Sequence, residues 1–426
     1  MYCGSCFRDN ALAAELLARG HDAHLIPVYT PTRTDEPNVS DRKVLFGGVS
    51  VYLQHASPWF GRLPRALDRV WDAPGVISAF ANRSMSTDPA LLGGMAVAML
   101  EGRDGVLRRE FDKLVEWTAD EPPPDVINIP NSLLISLAAP LRQSFGRPVC
   151  CTLQGEELFL DGLQQPYLDR TVELIRSHVP HVDRFIAVSE YEAGFMAKRL
   201  HIPPDRISVV PLGINVKGYA LAEDRDDVFR VGYFARVAPE KGLHVLADAY
   251  LRFRAQLPAD ARVRCEAAGY IADSARPYLD GVRSAFAAAG RAGEFEYRGS
   301  VDRREKIEFL RGLDLLSVPA TYDEPKGMFL LEAMACGVPV VQPRRGAFTE
   351  VVERTGGGVL VEPNDPLQLA DAFMALWSDR PRRDALGRRA FDGVRTHYAI
   401  ERSADRLIEV YRDVIAHSAG TAGVRR

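Results

Sequence analysis

The sequence predicts an α/β protein of two doubly wound domains, and three observations carry that prediction. Short apolar runs alternate with amphipathic helical stretches along the 426 residues, the succession of strand–helix units that builds a parallel sheet. Runs such as PVCCTL (148–153) and RFIAVS (184–189) are largely apolar instead of alternating, as expected of strands covered on both faces. The segment 211–227 (PLGINVKGYALAEDRDD) breaks the rhythm with a proline, two glycines and a charge cluster, after which the pattern restarts.

In the first half, the strand candidates are 23–28, 44–46, 49–54, 126–129, 149–153, 185–188 and 207–210. The helix candidates are 12–19, 90–117, 133–142, 167–178 and 190–200. Asp9-Asn10 reads as the cap of the first helix, which stops at Gly20. After the linker come a strand at 229–235, a helix at 243–253, strands near 263–267 and 295–297, a helix at 303–312 and a strand at 315–318. A helix at 328–336, strands at 338–342 and 359–361, and helices from Pro366 onward complete the second half. The domains are therefore expected at 1–217 and 218–397, followed by 398–426. The last helix, 400–417, follows a helix instead of a strand, so it is free to pack back on the first domain. Two such sheets facing across a cleft would hold two substrates at the carboxyl ends of their strands.

Hydrophobic residues make up 46% of the chain and charged residues 26%, which excludes disorder, collagen and coiled coil. The net charge is −4 and neither half is basic, which argues against a nucleic-acid partner. No apolar run approaches the roughly 20 residues of a bilayer span, and no secretory signal pattern opens the chain. Six cysteines do not make a disulfide framework in a chain this long. The expected location is the cytoplasm.

The sharpest chemical signal is TYDEPKGMFLLEAMACGVPVV (321–341), which follows an apolar run and opens a helix near Gly327. Glu324 lies in the loop, and Glu332, eight residues on, lies inside the helix. The amides of Gly327, Met328 and Phe329 form a helix start suited to a diphosphate. Carboxylates beside it would repel phosphate and are better placed to accept hydroxyls of a sugar or ribose. The second signal is VGYFARVAPEKGLHVL (231–246), with Arg236 and Lys241 after a strand and before a helix. Two cations there can neutralise a diphosphate without a metal.

Together these segments resemble the C-terminal domain of retaining glycosyltransferase family 4, the glycosyl transferases group 1, with the GT-B fold of two Rossmann-like domains. DEPKGMFLLEAMACGVPVV resembles the family's E-x7-E signature, and ARVAPEKG resembles its diphosphate loop. GAFTEVVERTGGGVLVEPND (346–365), AVSEYEAGFM (187–196), ISVVPLGIN (207–215) and ELLARGHDAHLI (15–26) resemble further family segments. The resemblance covers nearly the whole chain.

It implies that Arg236 and Lys241 bind the donor diphosphate and that Glu324 contacts the transferred sugar. The amides of Gly327, Met328 and Phe329 would hold phosphate and sugar oxygens, and Glu332 would bind the ribose hydroxyls. Gly4 would belong to a first-domain loop facing the donor phosphate. The implied partners are a nucleotide sugar and a carbohydrate, lipid or other small-molecule acceptor, with no metal and no cofactor.

The sequence departs from the family pattern in three places. Gln154 stands where the family usually has a histidine touching the donor sugar, and Asn128 replaces another histidine. The first strand and most of its glycine-rich loop have no counterpart before the first helix, which predicts a true start upstream of Met1.

Other signals carry less. Cys3 and Cys6 are read as small loop residues instead of a redox or zinc pair. Glu156, Glu157 and Asp161 read equally as acceptor contacts or a solvated acidic loop, and His244 as a packed residue. The aromatic and arginine-rich stretch 57–71 is read mainly as a surface helix, with contact to a membrane surface as its functional alternative. The competing functions are a nucleotide-sugar epimerase of the same fold and a non-catalytic nucleotide-sugar-binding protein.

Overall fold

The computed structural model describes residues 4–28, 32, 34–41, 44–46, 89–221 and 226–424. These form two units, one from within Tyr2–Val210 and Ala404–Arg426, the other from Pro211–Ser403.

The amino-terminal unit opens with α1 (Gly4–Ala18). Then come α2 (Pro89–Glu101), α3 (Arg108–Asp120), β1 (Ile127–Ile129), α4 (Ala138–Phe145) and β2 (Val149–Leu153). The unit continues through α5 (Glu157–Asp161), α6 (Tyr167–His178), β3 (Arg184–Ala187), α7 (Glu190–Leu200) and β4 (Ile207–Val209). The four strands pair in parallel in the order β1-β2-β3-β4. All five residues of β2 are buried, which explains why PVCCTL lacks alternation. Ser189 caps α7 by accepting from Glu192 N–H at 3.1 Å, and His201 ends it in the left-handed conformation at φ 56°.

Several expectations for this half are corrected. Helix α1 begins at Gly4, so Asp9 and Asn10 lie inside it and do not cap it. Asn10 spends its side chain on tertiary bonds instead: Oδ1 accepts from Val39 N–H at 2.9 Å and Nδ2 donates to Pro37 O at 3.0 Å. Segments 23–28 and 44–46 are not strands. Pro27 O and Val28 O accept from Leu45 and Phe46 N–H, each at 2.8 Å, but Pro27 has no N–H to continue a ladder. The expected strand 49–54 lies outside the described residues.

The single helix expected at 90–117 is two, broken where Gly102 takes φ 57°. The stretch 133–142 starts as a tight 3-10 segment (Ser132–Leu137) before α4. Pro140 lacks the N–H that an α-helix would aim at Ser136 O.

The carboxyl-terminal unit contains β5 (Phe229–Phe234), α8 (Leu243–Ala255), β6 (Val263–Ala268), α9 (Arg276–Ala288) and β7 (Phe295–Tyr297). It goes on with α10 (Arg303–Arg311), β8 (Leu315–Leu316), α11 (Met328–Ala335), β9 (Val340–Pro343), α12 (Gly346–Thr355) and β10 (Gly358–Val361). Helices α13 (Pro366–Ser378), α14 (Arg380–His397) and α15 (Ile400–Val424) end the chain, and α15 runs from this unit into the other. The six strands are all parallel, in the order β10-β9-β8-β5-β6-β7. The strand order reverses between β5 and β8, so the crevice beside their carboxyl ends is where such a sheet takes a ligand. Helix α9 is missing from the sequence reading, although Leu279, Val282 and Phe286 bury one face of it at helical spacing.

Candidate functional site

The two loops with the strongest chemical signals leave β5 and β8, the neighbouring strands at the switch point. They are locked to each other. Thr321 N–H donates to Glu240 O at 2.9 Å. Gly242 holds φ 76°, and a Cβ there would stand 1.9 Å from Pro319 O. Only glycine fits at that contact.

Lys241 ends the first loop, and its ammonium donates to Glu324 in the second. It also donates to Tyr322 Oη at 2.6 Å, and that hydroxyl donates in turn to Glu324. The Tyr322 ring centroid lies 4.9 Å from Lys241 Nζ, within cation–π range. Lys241 and Glu324 side chains are 13% and 6% exposed. Burial alone would raise the Glu324 carboxyl. The Lys241 charge, with hydrogen bonds from Lys241 and Tyr322, holds it down at about 2.

The backbone of Glu324 is fixed from behind. Its carbonyl accepts from Ala347 N–H at 2.8 Å, and a Cβ on Gly346 would fall 2.4 Å from the same oxygen. Arg345 donates to Ala320 O at 3.1 Å and steadies the loop's start.

Gly327 precedes α11 in the left-handed conformation, with φ 65°, and offers no side-chain cap. Its own N–H donates to Glu324 Oε1 at 3.4 Å. Met328 and Phe329 open the helix, the geometry of an anion site. The start of α8 differs, because Tyr278 Oη accepts from His244 N–H there at 3.0 Å. His244 is exposed with its ring on Tyr278, not packed as expected.

Glu332 lies farther along α11. Its Oε1 accepts from Lys306 Nζ of α10 at 2.6 Å and from Tyr219 Oη at 3.3 Å. Arg236 shares the first loop with Lys241, but its guanidinium pairs with Glu240 at 2.5 Å and is 41% exposed.

In the amino-terminal unit, Gly4 opens α1 and so is not a loop residue. Gln154 follows β2 and is 2% exposed. Its Nε2 donates to Pro130 O at 2.7 Å and to Asp9 at 3.3 Å, while its backbone N–H donates to Glu156 at 2.8 Å. The other Glu156 oxygen accepts from Ser132 N–H at 2.7 Å. Glu156 and Glu157 are buried and so not solvated, whereas Asp161 is exposed and pairs with Arg199 at 2.7 Å. Asn128 donates to Thr152 Oγ1 at 3.0 Å.

Sequence reasoning missed Tyr322, Lys306, Tyr219 and Arg345. Tyr322 stood inside the motif, two residues before Glu324, and its phenol was the available signal. Lys306 sits in RREKIEF, which reads as a solvated helix face. Among the described residues, no three His, Cys, Asp or Glu side chains converge as a metal-holding group. Cys3 and the stretch 57–71 lie outside the described residues, and Cys6 lies inside α1, not in a loop. No described helix is long and apolar enough to cross a membrane.

The glycosyl transferases group 1 family matches residues 222–392, and the glycosyl transferase 4-like domain matches residues 10–213. A D-inositol 3-phosphate glycosyltransferase of Stackebrandtia nassauensis is 30% identical over 251 residues, 57% of this chain and 56% of that protein. The lipopolysaccharide core biosynthesis mannosyltransferase LpsB of Rhizobium meliloti is 29% identical over 251 residues, 56% of this chain and 67% of that one. The chain thus spans little more than half the length of the first of these relatives.

In structure, it resembles a Rickettsia africae glycosyltransferase at TM-score 0.63 and 13% identity, covering 97% of this chain and 96% of that one. It also resembles Anabaena Alr3699/HepE, solved in complex with UDP, at TM-score 0.62 and 21% identity, covering 72% and 82%. These likenesses show the GT-B class of fold, with its two Rossmann-like parallel-sheet units. With one matched domain on each side of the linker, the chain belongs to the glycosyl transferases group 1, of the family 4 type.

Proposed function

We propose that this protein transfers a sugar from a nucleoside-diphosphate sugar to a hydroxyl acceptor, with retention at the anomeric carbon and without a metal. One observation carries the reading: the buried Lys241–Glu324 pair, with Tyr322, stands at the strand-order switch beside the open start of α11. The relatives support it, being named an inositol-phosphate glycosyltransferase and a mannosyltransferase. So does the UDP in the Anabaena structure.

In this mechanism the donor diphosphate lies at the amides of Gly327, Met328 and Phe329. Lys241 turns from Glu324 to a diphosphate oxygen, and Arg236 leaves Glu240 to join it. Glu324, relieved of its lysine, accepts hydroxyls of the sugar, and Glu332 accepts from the ribose. Gly4 and Gln154 are further donor-binding residues in this reading. The acceptor oxygen forms its bond to the anomeric carbon on the face from which the diphosphate oxygen departs. The acceptor's proton passes to a diphosphate oxygen. Charge grows on the leaving diphosphate, and two cations with a helix start stabilise it in a partly dry site. The acceptor is a carbohydrate, a lipid or another small hydroxyl compound, and the expected location is the cytoplasm.

The test is incubation with UDP-, GDP- and ADP-sugars and a panel of acceptors. Acceptor-dependent nucleotide release and an axial or equatorial product linkage matching the donor are expected. Sugar interconversion without acceptor, or binding without turnover, would overturn the reading.

A further inference from the structure

In the amino-terminal unit, one buried carboxylate ties together the loops that follow β1 and β2. These strands are parallel neighbours, and their carboxyl ends are where such a sheet takes a ligand. Glu156 is 5% exposed. One of its oxygens accepts from Ser132 N–H, in the first loop, at 2.7 Å. The other accepts from Gln154 N–H, in the second loop, at 2.8 Å. The next amide, Gly155 N–H, donates to Glu192 Oε1 of α7 at 3.1 Å. Glu192 thus holds the second loop to its own side of the sheet, whereas Glu156 spans the two loops.

The Gln154 side chain depends on that span. Its Nε2 donates to Pro130 O, in the first loop, at 2.7 Å and to Asp9 Oδ2 of α1 at 3.3 Å. A carbonyl oxygen and a carboxylate paired with Arg8 only accept, so the amide has one orientation. That leaves Oε1 over: it is buried and accepts no bond from the described residues. A buried amide oxygen without a donor costs free energy until a ligand or a water supplies one.

We propose that Glu156 is a positioning residue for donor binding. By fixing the spacing of the loops after β1 and β2, it keeps Pro130 O on Gln154 Nε2 and so holds Gln154 Oε1 as a fixed acceptor. The inference rests on the reading that makes Gln154 a donor-binding residue. If the loops part, Nε2 loses Pro130 O and the amide rotates about its last side-chain bond.

The test is a double-mutant cycle on the KM for the nucleotide sugar, measured by acceptor-dependent nucleotide release from the full chain. Gln154→Ala should raise that KM about three- to tenfold, the worth of one neutral hydrogen bond. Glu156→Gln keeps the size of the side chain but sets an amide N–H against one backbone N–H, and it should raise KM to a similar extent. In the Gln154→Ala background, Glu156→Gln should raise KM by less than about twofold further, since no side-chain amide remains to be positioned. A residue that merely stabilises the fold adds its full effect in both backgrounds. Glu156→Asp stays charged but is one methylene too short to bridge both amides, and covers the case in which Glu156→Gln does not fold.

A folded Glu156 variant with the original KM would overturn the proposal, as would equal rises in the two backgrounds. An unchanged KM in Gln154→Ala removes Gln154 from the donor, and the role of Glu156 with it. If the unaltered protein releases no nucleotide from any donor, the proposed transfer reaction itself falls.

Discussion

Two glutamates eight residues apart in one segment each meet a lysine, and the two pairs do opposite jobs. Lys241–Glu324 joins two loops at the carboxyl end of the sheet, with a tyrosine hydroxyl between them. Lys306–Glu332 joins two helices, α10 and α11. A pair on loops can exchange partners when a ligand arrives, because the loops carry the site and the scaffold carries the loops. A pair on packed helices holds its geometry whether or not a ligand is present. The signature's two glutamates are thus set apart less by their spacing than by what carries their lysines.

The largest effect is expected on the helix side. Lys306→Met leaves Glu332 buried without its partner and should cost about 3–5 kcal/mol of stability, read by urea denaturation. Replacing both partners by Met and Leu should recover most of it. If the single variant costs nothing, the helix pair is not structural and the contrast collapses.

On the loop side, Lys241→Ala should lower kcat by about 10²–10³-fold, the loss of one preorganised cation at a developing anion. Acceptor-dependent nucleotide release measures it. A variant near full activity would remove Lys241 from the diphosphate.

Acid sharpens the comparison. The Glu324 carboxyl is at about 2 in the folded chain against an ordinary 4.5. It therefore contributes stability, on the order of 3 kcal/mol, that is complete above pH 4.5 and is lost as pH falls through about 2. Glu324→Gln should flatten the stability curve in that window, and an unchanged slope would mean that the loop pair is not formed in solution.

The smallest effect is expected for Tyr322→Phe. It removes one hydrogen-bonding hydroxyl and should cost about 1 kcal/mol, with KM for the donor moving more than the melting temperature.

Much of this was legible in the sequence, and the exceptions have physical causes. Tyr167–His178 and Glu190–Leu200 were read to the residue because their apolar spacing and local signals agree. Asp9-Asn10 misled because Asn10's polar side chain serves a segment about 30 positions away, which no local pattern reports. Lys241 and Glu324 were legible because they lie between a strand and a helix start, and Glu332 through its eight-residue spacing from Glu324 inside α11. Lys306 was not, since its partner lies 26 residues on and only the folded chain brings α10 against α11. Glu156 read equally as an acceptor contact or a solvated acid, yet both of its oxygens bind backbone amides from two different loops.

The contact of Gly242 with the Pro319 carbonyl has a further consequence for anyone redesigning donor preference. A side chain at 242 has no room unless the backbone at 319 moves with it, so the two loops are coupled at that point. Variant libraries that diversify positions 236–242 and 319–324 jointly should yield far more folded members than libraries that vary either stretch by itself.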